Sequence, residues 1–461
     1  MQAMIAAPLV DENKRSYSLE ALSREFLNQG KNEKVLREVA EEWGIDHKAE
    51  MWKLPSQYVG PYAEKDAELT FKLWDYLRNQ ITTQGLKGIF SLETKLQPTL
   101  IDMRWKGIRV DIEKADALKK ELKQKEDILL KEIQMLSGLD VEIWAAASVA
   151  KAFDRLEIKY DRTPTDKPSF TKNFLINAAK EHPLAKLVVD CREINKAHTT
   201  FIDTILKHNH KGRIHAEIHQ LRSQMGGTVT GRMSYSNPNL QQVPARNKDI
   251  GPRIRGLFLP EKGCKWTSFD YSQQEPRLVV HYGIIKNEEK IRDSKGDENI
   301  SLIQGVEKFA EEYKKDTDFH QMVADIAKID RTTAKTINLG LFYGMGKGRL
   351  MDELGLEKEQ AEELLNEYHS TVPFIKQLAS TYSDDAKKHN LITTLKGRKC
   401  RFDLWQPLYD FNVGWKKPLP KPEAEKEYGS GGLELAFTYK ALNRLIQGSA
   451  SDMTKQAMVS L

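Results

Sequence analysis

The sequence predicts an α+β enzyme of several domains, with a long helical insert inside a strand-bearing region. Three observations carry this reading. The chain has 461 residues, 40% hydrophobic and 30% charged, a composition able to bury real cores in roughly two to four domains. Its periodic segments run in the order helices, strands, a long helical stretch, then helices again, the layout of a sheet-containing domain split by a helical subdomain. No run of about 18 apolar residues occurs, so no transmembrane helix and no membrane partner are expected.

The elements follow in order. The opening MQAMIAAPLVDENKRSYS has an apolar patch with no basic region before it and does not read as a secretory signal; Met1 or Met4 can be the start. Ser18 and Glu20, with Leu19, Leu22 and Phe26, predict a capped amphipathic helix. Pro55 and Gly60-Pro61 predict breaks, after which a helix runs from Tyr62 to Leu77. Residues 112–136 are the longest periodic stretch, with Leu118, Leu122, Leu129, Ile133 and Leu136 on one stripe. Lys119, Lys120, Lys123 and Lys125 surround it. A solvated bundle face is their plainer reading, a phosphate-backbone contact the alternative.

Residues 213–221 (RIHAEIHQL) and 264–269 (CKWTSF) read as strands. The chain is then mostly helical between 286 and 400. Residues 405–433, with Trp405, Trp415, several prolines and Gly429-Ser430-Gly431-Gly432, read as a loop or insertion, and 434–460 as helix. Cys191, Cys264 and Cys400 are far apart and odd in number, which argues against a disulfide framework or a zinc site and for a reducing compartment. The net charge of +5 permits nucleic-acid binding without demanding it.

Five segments carry chemistry. In Arg331-Thr-Thr-Ala-Lys335-Thr-Ile-Asn338-Leu339-Gly340-Leu-Phe-Tyr343-Gly344, four residues lie four apart and share one broad helix face. Arg331 and Lys335 sit near the helix start; Leu339 and Tyr343 lie further along. A nucleoside triphosphate has that polarity, phosphates at one end and a flat base at the other, and Arg and Lys grip phosphate differently. Gly340 and Gly344 fit a helix whose backbone something approaches. A surface helix with incidental cations is the bland alternative. His320, just upstream, is a candidate third phosphate contact, although a lone His is more often structural.

Phe269-Asp270-Tyr271-Ser272-Gln273-Gln274-Glu275 ends a β-rich run in a carboxylate. A strand-end Asp is well placed to hold a metal, and phosphoryl transfer with two metals needs at least two such carboxylates; a turn-forming Asp is equally common. Thr230-Gly231-Arg232 through Pro238-Asn239-Leu240-Gln241-Gln242 is polar and amide-rich, suited to phosphates, sugars and base edges or simply to a loop. Asn443-Arg444-Leu-Ile-Gln447-Gly448-Ser-Ala-Ser-Asp452 belongs to the final helix, where Gly448 among small residues predicts a close backbone approach. Tyr62 and Asp66 are an i, i+4 pair that would suit a metal ligand with a phenol beside it, a weak pattern on its own.

Taken together and in this order, TGRMSYSNPNLQQ, DYSQQE, RTTAKTINLGLFYG and NRLIQGSASD resemble the blocks of the family A (Pol I-type) DNA polymerases, from about residue 92 to the C-terminus. The resemblance implies DNA-templated synthesis from dNTPs on a primer-template, in a right-hand fold of thumb, antiparallel palm and helical fingers. It implies that Asp270 is a Mg²⁺ ligand, one of the set for two ions, and that Glu275 disfavours a ribose 2′-hydroxyl. Arg331, Lys335 and His320 would contact the triphosphate, with Tyr343 beside the templating base. Gln273 and Leu339 would belong to the nucleotide site. Arg232, Asn239, Gln241, Asn443 and Gln447 would contact primer and template. The first 90 residues resemble the end of an RNase H-like 3′–5′ exonuclease domain, with Tyr62 and Asp66 matching its last motif. The implied domains are 1–90 exonuclease remnant, 91–205 thumb with the start of the palm, 206–285 palm, 286–433 fingers and 434–461 the palm return helix.

Some features depart from the family pattern. The family's His-Asp-Glu block is not found before Leu461, and Asp384-Asp385 lies in the fingers region and does not replace it. The upstream exonuclease DxE block is also not found; Asp11-Glu12 is adjacent instead. The metal shells are therefore expected to be incomplete, since one carboxylate holds two Mg²⁺ ions poorly. Little polymerisation and no exonuclease activity are expected of this polypeptide alone, and a separate C-terminal fragment is a candidate partner. Leu339 replaces the family's usual Phe or Tyr and, with the short layout, leans the reading toward a phage. Pro276 lacks an N–H and can end the local turn. The implied compartment is bacterial or infected-cell cytoplasm. A single-subunit RNA polymerase is the nearest alternative, disfavoured by Glu275, and a non-catalytic primer-template binding protein is another.

Overall fold

The computed structural model describes residues 2–245, 247–295, 300–326, 329–342, 345–408 and 416–461. The N-terminal apolar patch is a helix, Gln2–Val10, with Ile5, Ala6, Ala7, Leu9 and Val10 buried. It packs on a 28-residue helix, Ser56–Thr83, whose Leu69, Leu73, Leu77 and Ile81 fall four apart and are all buried. The predicted break at Gly60-Pro61 is not there: Pro61 lies exposed inside this helix. A proline at such a position costs about 3 kcal/mol. Four buried aliphatic side chains, at about 1.5–3 kcal/mol each, outweigh it. Ser18 caps Leu19–Leu27 as predicted, its hydroxyl accepting the Ala21 N–H.

The long periodic stretch is the helix Ile112–Ser137. Leu118, Leu122 and Ile133 are buried, but Leu136, one residue from the helix end, is exposed. Lys119 and Lys125 face Asp203 and Asp249 at 2.5 and 3.9 Å, as a solvated bundle face would. Between its two helical arms the chain forms a four-stranded antiparallel sheet in the order Asn209–His210, Arg213–Ile214, Ile108–Val110, Phe258–Leu259. Residues 213–221 are thus two short strands, since Glu217–His219 turns away to pair with Ser234–Ser236.

Residues 264–269 form no strand, contrary to their composition. Trp266 and Phe269 are 61% and 81% exposed, so neither face of the segment is buried. Strand propensity mostly measures the fit to a paired, half-buried surface, and this segment has no ladder partner among the described residues. Residues 405–433 differ in the other direction. Leu404–Pro407 pairs with Leu419–Pro420 and Leu433–Leu435, and the helix Lys421–Tyr428 packs on that small sheet. The turn residues punctuate short elements there rather than replacing them; residues 409–415, with Trp415, lie outside the described set.

The region between 286 and 400 is helical as predicted, and its core joins the end of the chain. Leu278, Val279, Phe309, Phe319, Ile337, Tyr368, Phe374 and Leu378 pack with Leu442 and Leu445 of the final helix, Ala441–Ser460. That helix therefore carries its polar residues into the centre of the molecule.

Candidate active site

Two of the candidate segments, Thr230–Gln242 and Phe269–Glu275, meet the final helix. Gly448 is approached as predicted: a Cβ there would lie 2.9 Å from Thr394 Cγ2 and 3.5 Å from the Thr230 carbonyl oxygen. The Ser451 hydroxyl donates to the Gly231 carbonyl at 2.8 Å. Ser449 and the Tyr282 hydroxyl are 2.5 Å apart, and Gln274 Nε2 donates to the Ala450 carbonyl at 3.2 Å. Asn443 and Gln447, one turn apart, lie half-buried along the same helix, and Asn443 Oδ1 has no partner.

The predicted cationic face is present on the helix Arg331–Phe342. Arg331 and Lys335 are exposed and Leu339 half-buried, while Ala334, Ile337 and Asn338 on the other side are fully buried. Tyr343 and Gly344 lie outside the described residues. The approach predicted at Gly340 is internal: Met345 Cε would sit 1.5 Å from a Cβ there. His320 is buried, with Nδ1 3.0 Å from Asn338 Nδ2. Burial lowers its pKa, assisted by Arg331 and Lys335 and opposed by Asp318. The ring is thus held neutral, and offers a hydrogen bond rather than a charge.

A run of contacts joins these pieces. Arg331 Nε and Nη2 donate to Asp318 Oδ2 at 2.9 and 2.6 Å. The other Asp318 oxygen accepts the His320 and Gln321 N–H groups, capping the helix Phe319–Ile326. Burial raises the Asp318 pKa, but Arg331 and those N–H groups hold it below its usual value. The Phe319 N–H donates to Gln273 Oε1 at 2.8 Å, so the Gln273 amide grips backbone. Two residues on, Glu275 is ion-paired with Arg232. Asn239 Oδ1 accepts the Gln241 N–H at 3.1 Å, and Gln241 Nε2 donates to the Met233 carbonyl at 3.1 Å, which shapes the loop after Arg232.

Sequence reasoning missed two sets of residues. Asp318 was legible, because an Asp just before an apolar helical run is a cap signal. The buried charges Glu93, Arg398, Asp452 and Lys455, packed behind Gly231, had no local signal.

The two candidate metal ligands differ. Asp270 is exposed and has no side-chain partner among the described residues. Asp66 Oδ2 accepts from Lys31 Nζ at 2.7 Å, and the same ammonium donates to the Tyr62 hydroxyl at 3.1 Å. An internal cation thus stands where the Tyr62–Asp66 pattern would place a metal. Among the described residues no three His, Cys, Asp or Glu side chains converge on a metal position. Asp270 alone does not make up a site for two ions. Asp384 and Asp385 pair with Lys387 and Lys286 at 3.4 and 2.8 Å.

DNA polymerase family A matches this chain over residues 112–297 and 299–461. The chain belongs to that family. The polymerase is 35% identical to the DNA-directed DNA polymerase of Pseudomonas phage M6, over 99% of this chain and 70% of the relative. It is 30% identical to the DNA polymerase DpoZ of Salmonella phage PMBT28, over 98% and 72%. Against DNA polymerase I of Treponema pallidum it is 26% identical, over 99% of this chain and 42% of that protein. Its fold matches the POL domain of Pol1 from M. smegmatis, solved in complex with DNA primer-template and dNTP, with a TM-score of 0.73 at 23% identity, covering 99% of this chain and 70% of that one. The polymerase is a DNA-directed DNA polymerase with the mixed helix-and-sheet fold of its family, whose members use divalent metal ions. None of its described helices is long and apolar enough to cross a membrane.

Proposed function

We propose that this polymerase binds a primer-template and a dNTP across the face formed by the Thr230–Gln242 loop, the helix Arg331–Phe342 and the final helix, and transfers the nucleotide to the primer 3′-hydroxyl. Arg331 and Lys335 hold the triphosphate, with His320 as a neutral donor. Glu275 faces the sugar, with Leu339 and Tyr343 beside it. Gln273 positions the start of the Phe319–Ile326 helix. Arg232, Asn239, Gln241, Asn443 and Gln447 contact primer and template. Asp270 supplies one divalent-cation ligand. Residues 91–205 act as thumb with the start of the palm, 206–285 and 434–461 as palm, and 286–433 as fingers; residues 1–90 are exonuclease-type, and Lys31 blocks metal binding at Asp66.

One observation carries this reading. Arg331 bonds Asp318, the adjacent Phe319 N–H bonds Gln273, and Glu275, two residues along the chain from Gln273, pairs with Arg232, so contacts and chain neighbours together put groups suited to phosphate, sugar and primer along one path. Lys335 is exposed with no side-chain partner among the described residues, and Arg331, exposed on the same face, would exchange Asp318 for phosphate.

Capture of a dNTP on a dideoxy-terminated primer-template tests it without requiring turnover. The complex should form with the nucleotide complementary to the template, and Arg331→Ala with Lys335→Ala should weaken dNTP capture about 100-fold, the scale of losing an electrostatic clamp on phosphate. Equal capture of all four dNTPs, or no loss in the double variant, would sink the reading.

A further inference from the structure

Four buried charges lie behind the Thr230-Gly231-Arg232 turn. Glu93, Asp452 and Lys455 are 0% exposed and Arg398 is 4%. Arg398 Nε and Nη2 lie 2.8 and 2.7 Å from Asp452 Oδ1, and Nη2 also donates to Glu93 Oε1. Lys455 Nζ donates to Glu93 Oε1 at 2.8 Å and to the Gln220 carbonyl at 2.9 Å. The Thr394 hydroxyl donates to Asp452 Oδ2 at 2.8 Å, and Gln220 Nε2 donates to Glu93 Oε2 at 2.6 Å. Two cations and two carboxylates cancel, and nearly every polar atom has a partner. Such clusters are weak devices for stability, because well-packed apolar groups often do as well. What this one does is fix geometry among the helix Lys87–Lys106, the turn Thr394–Arg398, the segment at Gln220 and the final helix.

The guanidinium is pressed against Gly231. That residue has φ +80°, and a Cβ on it would lie 2.6 Å from Arg398 Cζ. Its carbonyl is held from the other side by Ser451, and the next residue is Arg232, paired with Glu275. We infer that Arg398 is a positioning residue for nucleotide selection: clamped by Asp452 and by the Glu93–Lys455 pair, it sets the Gly231 turn and so aims Arg232 at the sugar-facing Glu275. This rests on the roles proposed above for Arg232 and Glu275.

The cluster also titrates. Burial holds the Lys455 ammonium down to about 8, against the opposing pull of Glu93. The charged groups facing it are Glu93 from the helix Lys87–Lys106, Arg398 from the turn, and Asp452 from its own helix. When Lys455 loses its proton, Glu93 is left with Arg398 as its one cation. The guanidinium is then drawn toward Glu93 and away from Asp452 and Gly231, so discrimination against a ribonucleotide loosens as pH rises through about 8.

Capture of the cognate dNTP and the matching rNTP on a dideoxy-terminated primer-template reads the effect. In Gly231→Ala the dNTP preference should shrink about tenfold, a fraction of what misplacement by about 1 Å can cost. Arg398→Lys, which keeps the charge and loses the fork, should move it the same way by less. Lys455→Met, which leaves Glu93 with Arg398 as its one cation at every pH, should show a pH-independent preference at the loosened level that wild type reaches only above about pH 8. Melting curves establish which variants are folded. The inference is overturned if the folded variants keep the wild-type preference, or if Lys455→Met and wild type share one pH profile. A wild-type protein with no templated dNTP preference would instead overturn the reading of the site.

Discussion

Asp66 and Asp270 carry the same chemistry into opposite surroundings. Asp66 sits on the helix Ser56–Thr83, its side chain 25% exposed, with Lys31 Nζ on one oxygen and no partner on the other. Asp270 lies on an exposed segment with no side-chain partner among the described residues. Both were marked as metal ligands by their place in a motif. What separates them is the ammonium of a residue 35 positions upstream of Asp66. A carboxylate paired with an ammonium must share or give up that partner before it can hold a second cation. The motif names the residue; its neighbours decide whether it is available.

The largest effect that would break this contrast is on binding. Asp270→Ala should weaken metal-dependent dNTP capture on a dideoxy-terminated primer about 100-fold, the loss expected when an electrostatic clamp on phosphate is removed. Its melting temperature should not move, since exposed side chains without partners contribute within about 0.5 kcal/mol. An unchanged dNTP affinity would remove Asp270 from the site. Asp66→Asn should show the reverse pattern, with dNTP capture intact and stability lower by about 1–3 kcal/mol, because Lys31 is left mostly buried without its counter-charge. The sign of the pH dependence follows. Burial lowers the Lys31 pKa, but Asp66 and Tyr62 raise it further, to a net value above 10.5. A raised folded pKa gives stability that is full below 10.5 and is lost as pH climbs through the folded value. Denaturant melts of wild type and Asp66→Asn should therefore differ most at neutral pH and converge in strong alkali. A gap that widened above pH 10.5 would contradict the ion pair.

The same contrast shows what could be read in the sequence. The Ser18 cap, the Arg331–Lys335–Leu339 face and the close approach at Gly448 depend on spacings within one element, and each is present. The segment 264–269 misled because strand propensity says nothing about whether a partner strand is there. Gly60-Pro61 misled because a local breaker was outweighed by burial further along the helix. The charge pairs were the least legible. Lys31 with Asp66, Glu12 with Arg401 at 389 residues' separation, and Glu93 with Arg398 and Lys455 are made by tertiary packing. In the sequence, a buried Glu or Lys looks like any surface charge. Family resemblance named the candidate groups for the substrate face, and was silent on these buried charges.

Tyr62 gives the finest test of the contrast. If Lys31 is a fixed internal cation, the phenol is its second acceptor at 3.1 Å, and the ring also lies 5.1 Å from the ammonium. Tyr62→Phe removes the oxygen and keeps the ring, so the cation–π contact survives and one hydrogen bond is lost. The expected cost is about 0.5–1.5 kcal/mol, smaller than that of Asp66→Asn, and dNTP capture should not change. In the double variant Tyr62→Phe with Asp66→Asn, the two losses should fall short of additive, because both act on one ammonium that has less to lose once either partner is gone. Strict additivity in denaturant melts would mean that Lys31 does not bridge the two side chains. The closed state of Asp66 would then need another cause.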